Sequence, residues 1–187
     1  IILRGLCLWI THSSYISNIN SFKWLANGMI GIFPLPVVFL VLLYIFFYIL
    51  TTKTVFGKNL YAVGGNSMAA KLSGVNAERV KISAFMIGGL MYAFAALINV
   101  SRLSTAEPLA GVGLEADAVA ATLVGGASLA GGLASISGSF IGLSVFAVLY
   151  NIMNLLGVQS AVQQVAKGTI ILIAVLIRVN VGKKQKE

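Results

Sequence analysis

Acidic side chains are scarce: five Asp and Glu stand against 13 Lys and Arg in 187 residues, and only 10% of positions are charged at all. Soluble domains carry about 25% charged residues. With 58% of residues hydrophobic, the apolar surface would have nowhere to go in water. A single cysteine, Cys7, excludes an intramolecular disulfide, and a single histidine, His12, excludes a His/Cys metal cluster. Neither a metal nor a cofactor is expected. No acidic residue falls within an apolar run. Neither a Ser/His pair nor a two-carboxylate site can therefore be assembled inside the apolar part, which argues against an intramembrane enzyme.

The remaining composition describes an all-α integral membrane protein, read as one transmembrane domain over 1–187. The excess of basic residues is not a nucleic-acid signal. Nine of the 13 sit in two places: Lys53, Lys58, Lys71, Arg79 and Lys81, then Arg178, Lys183, Lys184 and Lys186. Basic clusters at the ends of apolar runs orient a protein in the bilayer, basic side inward. The partner implied is lipid. There is no initiator Met and no signal-peptide pattern, and the chain opens on Ile1-Ile2, so residues 1–10 read as the end of a truncated span in a fragment lacking its N-terminal part.

Residues 11–33 are polar and extramembrane. Pro34 and Pro36 suit the first turn of a helix, where a missing N–H costs little. The first full span is 34–52, closed by Lys53, and the next is 82–101, where Gly88-Gly89 would permit a close helix contact. Residues 102–117 hold three of the five acids and lie outside. Within them Gly111-Val112-Gly113-Leu114-Glu115-Ala116 fits G-x-G-x-x-A, but no strand precedes it, so no dinucleotide site is expected.

Residues 118–166 carry no charge and exceed one span. Counting settles the topology. If 118–130 cross, 135–154 return and 161–179 cross again, the Lys-rich tail ends inside; if 118–130 only dip in, it ends outside, against its charge. A short tilted crossing over 118–130 is therefore expected, with a glycine-rich cytoplasmic turn near 131–134. That makes about five full spans plus the truncated one, with a cytoplasmic C-terminus. Gly138 and Gly142 form a small-xxx-small pair for another helix to approach. In the last span Gln163 and Lys167 share a helix face. Lys167 lies ~24 Å from Lys183 along the helix, in the outer half of the bilayer. A cation there either faces protein or an aqueous path, or snorkels to the headgroups.

Residues 57–81 are the longest polar interval that also contains a helix signal. Asn66 or Ser67 can cap a helix through Leu72, Gly74 can end it in a left-handed turn, and Asn76 can cap the next. A helix of about two turns is marginal in water by itself. The stretch is either a solvated connector or a docking surface for another protein.

Gly64-Gly65-Asn66 followed by Met68-Ala69-Ala70 and Gly74 resembles the Glu-Ala-Ala-x-x-x-Gly loop of ABC-transporter permeases. Tyr61 to Asn66 and Ala69 to Val75 are similar to the ribose-type sugar importers in particular, with Met68 where that family usually has Glu. The resemblance continues through Pro108, Gly111, Gly113, Glu115, Asp117, Ala120 and Ala121, with Ala116 in place of Leu. It extends through Gly125-Gly126-Ala127-Ser128-Leu129-Ala130-Gly131-Gly132, with Ala134 in place of a usual Gly, and then Asn154 to Val158 and Gln163 to Gly168. It covers roughly 34–180.

What the resemblance implies is a bacterial inner-membrane permease that imports pentoses or related small solutes by alternating access. It would work with a second permease copy, an ATP-binding cassette subunit and an extracytoplasmic substrate-binding protein. No G-x-x-x-x-G-K-[ST] loop occurs, so ATP would be bound by another chain and this one is not an enzyme. Residues 57–81 would be the coupling loop, with Gly65, Asn66, Met68, Ala69, Ala70 and Gly74 at the ATP-binding subunit. Asn99, Gln163, Gln164 and Lys167 are candidates for the translocation path. Arg102, Glu107, Glu115 and Asp117 are candidates for an outer gate or a binding-protein contact. A secondary transporter or channel is the alternative. It would explain the spans but not a docking loop, and ion-coupled carriers commonly hold acids within their spans.

Overall fold

The computed structural model describes residues 2–12, 14–19, 22–128 and 130–184, with side chains to Leu172. Lys186 and the side chains of Arg178, Lys183 and Lys184 lie outside the described residues, as does Leu129. Among those described, nine α-helices and four two-residue strands occur. They fall into two compact units, residues 1–56 with 76–112 and residues 57–75 with 113–187.

In the first unit, α1 (Ile2–Ile10) is followed by a segment that folds locally instead of looping freely. Strand β1 (Ile16–Ser17) pairs antiparallel with β4 (Thr105–Ala106), Ile16 opposite Ala106. The two polar stretches expected on one side of the membrane are thus joined through their backbones. Strands β2 (Met29–Ile30) and β3 (Phe33–Pro34) make a tight hairpin around Gly31, at φ +63°. Between β1 and β2 lies the short α2 (Lys23–Asn27), whose Leu25 is buried.

Helix α3 (Leu35–Lys53) starts where the prolines require it. Its last turn is secured by hydroxyls that donate to carbonyls one turn back: Thr51 to Phe47 at 2.8 Å and Thr52 to Tyr48 at 2.6 Å. Those carbonyls have polar company where the helix leaves the apolar phase. Helix α6 (Ala77–Leu103) has 27 residues and is ~40 Å long, more than a ~30 Å hydrocarbon core requires. Phe39 and Phe94 meet edge to face at 5.3 Å between α3 and α6. At Gly88 and Gly89 the described residues beyond the helix's own turns leave open space within 4 Å of a side chain placed there.

Ser101 ties α2 to α6. Its hydroxyl is fully buried, donates to the Phe22 carbonyl and accepts from the Ala26 N–H at 2.9 Å. One serine thereby gives the Ala26 N–H a buried acceptor and the Phe22 carbonyl a second donor beside the Leu25 N–H at 2.9 Å.

In the second unit, α7 (Leu114–Val124) and α8 (Ile136–Leu155) form a hairpin on which α9 (Ser160–Lys184) rests. The hairpin is glycine-tight. A side chain at Gly142 would meet the Ala121 carbonyl at 2.0 Å, and one at Gly138 would meet the Gly125 carbonyl at 1.9 Å. The small-xxx-small pair therefore receives α7, and Ala120, Ala121 and Phe146 form the core of the contact.

The crossing expected over 118–130 takes a different shape. Helix α7 has 11 residues and is ~16 Å long, about half the hydrocarbon thickness. Gly125 and Gly126 end it, the latter at φ +102°, and the described residues of 125–135, all but Leu129, continue as a turn. Three helices meet the length and hydropathy of a span among the described residues: α3, α6 and α8.

Candidate functional site

The polar interval after α3 is more helical than expected. Helix α4 (Val55–Gly65) occupies its first half. Phe56, Leu60 and Val63 recur at helical spacing and give it an apolar stripe, which Lys58 and Asn59 obscure in a linear reading. Gly57 and Val63 are buried. A one-residue break at Asn66 separates α4 from α5 (Ser67–Leu72).

Asn66, not Ser67, is the cap. Its Oδ1 accepts from the N–H groups of Met68 and Ala69, each at 3.0 Å. Gly74, at φ +83°, takes the left-handed exit, and the Val75 N–H returns to the Ala70 carbonyl at 3.0 Å. Asn76 Oδ1 then accepts from the Arg79 N–H at 3.1 Å and starts α6. Both caps and the glycine stop lie where the sequence puts them.

Of the six residues expected at a partner, Gly65, Asn66, Met68, Ala69 and Gly74 are exposed, whereas Ala70 is buried. Ala70 therefore seats the helix and does not present it. The outward apolar groups are Met68 and Leu72, 67% and 84% exposed. Leu72 is not distinguished by the sequence pattern, because its orientation depends on how α5 sits.

The C-terminal end of α4 lies against the 125–135 turn. A side chain on Gly131 would stand 2.3 Å from the Gly64 carbonyl oxygen, and one on Gly132 would stand 2.6 Å from Gly65 Cα. Both turn glycines have positive φ, +86° and +76°. The two backbones touch directly.

The second cluster unites residues from three helices. Lys167 Nζ on α9 donates to Asp117 Oδ2 on α7 at 2.8 Å. The Tyr150 hydroxyl on α8 donates to Asp117 Oδ1 at 3.0 Å. Lys167 Nζ also stands 4.1 Å from the centroid of the Tyr150 ring, so one tyrosine serves the carboxylate with its hydroxyl and the cation with its π-face. One helical turn before Lys167, Gln163 donates from Nε2 to Asn154 Oδ1 at 3.0 Å and to the Val158 carbonyl at 2.8 Å. Lys167 is thus a cation facing protein, with a carboxylate as its partner.

The structure thus brings together one path candidate, Lys167, and one gate candidate, Asp117. Glu115 is exposed two residues before Asp117 in the same first turn of α7, and Gln164 is exposed on α9. Asn99, half-buried on α6, Arg102 in its last turn and Glu107 in the turn after β4 belong to the first unit. Sequence reasoning missed Tyr150 and Asn154. Their sign was spacing: four residues apart, they put two polar groups on one face of α8.

Residues 8–176 match the family model described as branched-chain amino acid transport system / permease component. The chain belongs to that family. Its relatives include sugar permeases. It is 41% identical over 179 residues to the ribose import permease protein RbsC of Bacillus subtilis, covering 94% of this chain and 56% of that protein. With the xylose transport system permease protein XylH of Escherichia coli K12 it shares 46% over 152 residues, 81% of this chain and 38% of that one. The ribose import permease protein RbsC of Escherichia coli K12 is 39% identical over 183 residues, 95% and 57% respectively. The chain therefore spans about half the length of the curated relatives it matches. No solved structure matches it. Family and apolar helices together make this an all-α, multi-pass membrane protein of the ABC permease class.

Proposed function

We propose that this chain supplies part of the membrane-spanning subunit of an ATP-driven importer for ribose-like sugars or related small solutes. The observation that carries the proposal is α5: a six-residue helix capped at Asn66 and stopped at Gly74, with Met68 and Leu72 facing out. A two-turn helix has little reason to be so defined at both ends unless something packs on it. In this reading residues 57–81 are the coupling loop of a single permease domain over 1–187, and α5 enters a cleft of an ATP-binding cassette subunit. ATP is hydrolysed there and not here. A second permease copy completes the path, and an extracytoplasmic binding protein delivers the solute.

Five spans and a cytoplasmic C-terminus in the bacterial inner membrane complete the topology, with α7 and the 125–135 turn together making the third crossing. Arg102, Glu107, Glu115 and Asp117 belong to the outer mouth, and Asn99, Gln163, Gln164 and Lys167 lie along the route, Lys167 turned to Asp117 and not to the solute. Alternating access follows: ATP closes its subunits, α5 moves with them, and the spans re-orient.

The test uses the full-length permease with its ATP-binding subunit and binding protein in liposomes, comparing wild type with Leu72→Asp and Met68→Arg. Both positions are exposed, so the permease should still fold. Loss of subunit co-purification and of sugar-stimulated ATP hydrolysis is the expected result. Full stimulation in both variants would refute docking at α5 and favour a carrier or channel.

A further inference from the structure

Helix α7 is held at both ends, by two kinds of contact within one compact unit. At one end the 125–135 turn abuts Gly64 and Gly65 backbone to backbone, leaving no side chain that could rotate aside to absorb a shift. The turn is itself braced: the Ser128 N–H donates to the Leu133 carbonyl at 2.8 Å, the Gly131 N–H to the Ser128 carbonyl at 3.1 Å, and the Ala130 N–H to Ser128 Oγ at 3.2 Å. It joins α7 without slack, because the Gly125 and Ala127 N–H groups bond back to Ala121 and Thr122 at 2.9 Å each. At the other end, ~12 Å along the helix, Asp117 is bonded to both Lys167 and Tyr150. The two charges are partly buried and 2.8 Å apart, so removing one leaves the other without its partner.

We propose that Gly131, Gly132 and the Asp117–Lys167 pair are positioning residues of transport: they fix the two ends of α7, so that a displacement of α4–α5 is carried along α7 to α8 and α9. Lys167 acts through Asp117 and does not touch the solute. The inference rests on α5 being the docking element.

The experiment again uses the full-length permease, its ATP-binding subunit and its binding protein in liposomes. The variants are Gly132→Ala, Ser128→Ala, Asp117→Asn, Lys167→Gln and the double Asp117→Asn/Lys167→Gln. Gly132→Ala and each single charge variant should retain the ATP-binding subunit and hold KM within about twofold, while the uptake rate falls about tenfold. The double variant, which leaves no unpaired charge, should recover to within about threefold of wild type. Should Gly132→Ala fail to fold, Ser128→Ala softens the same turn without a clash and should lower the uptake rate about threefold at unchanged KM.

Wild-type uptake in the turn variants would overturn the inner contact. A raised KM in Lys167→Gln that Asp117→Asn does not relieve would overturn the outer one and make Lys167 a solute ligand. Subunit binding separates this from the docking proposal. Leu72→Asp that still binds and stimulates refutes docking, whereas position variants that bind but do not transport support the linkage.

Discussion

Replacing Asn66 by alanine isolates the element on which docking depends. Asn66 Oδ1 accepts two N–H groups, from Met68 and Ala69, and the helix it caps has six residues. Loss of an Asn cap to alanine costs about 0.5–2 kcal/mol, and loss to glycine a few tenths, because glycine leaves the backbone open to water. In a long helix that cost is confined to fraying at one end. Here it applies to a helix of under two turns, so the whole of α5 should open about 2- to 30-fold more often.

Amide hydrogen exchange of the full-length permease in detergent reads this directly at Met68 to Leu72. Exchange should rise most in Asn66→Ala, less in Asn66→Gly and hardly at all in Asn66→Asp, since a carboxylate caps as well as an amide. Amides of α8, far from the cap in sequence, should not change. If Asn66→Ala and Asn66→Asp exchange alike, the cap does not hold α5, and α5 is not a helix built to be docked upon.

Ser101→Ala should lower thermal stability in detergent by about 1–3 kcal/mol, because the Ala26 N–H loses its buried acceptor and the Phe22 carbonyl keeps only the Leu25 N–H. An unchanged melting temperature would mean that another group takes both bonds. Gly74→Ala, at φ +83° with open space around it, should cost about 1–2 kcal/mol from the backbone alone and show as faster exchange at Ser73 to Val75. Gly142→Ala should be worse, about 1–3 kcal/mol or more, because its methyl would stand 2.0 Å from the Ala121 carbonyl and force α7 from α8. A monodisperse, fully folded Gly142→Ala protein would show that the hairpin is looser than described.

Much of this molecule is determined locally and is therefore legible in the chain. Membrane residence follows from composition, the start of α3 from its prolines, and the α5 boundaries from Asn66, Gly74 and Asn76. Each is a property of a few neighbouring residues: a cap oxygen reaches two or three residues on, and a left-handed glycine acts at its own φ. The family, too, is written in the order and spacing of its motifs. Helix α4 was nearly as accessible, and was hidden only because Lys58 and Asn59 interrupt its apolar stripe.

Tertiary structure decided what lies far apart in sequence. Asp117 and Lys167 are 50 residues apart, and Ser101 is 75 from Ala26. No periodicity announces that an acid in a segment read as external is the counter-ion of a lysine in the last span. Nor does a glycine disclose whether it admits a helix, as Gly142 does, or stands open, as Gly88 does. The physical reason is the same in each case. Caps and turns are satisfied within one helical turn, whereas an unpaired charge, a buried hydroxyl and a bare backbone are satisfied only by whatever the packing of the helices brings to them.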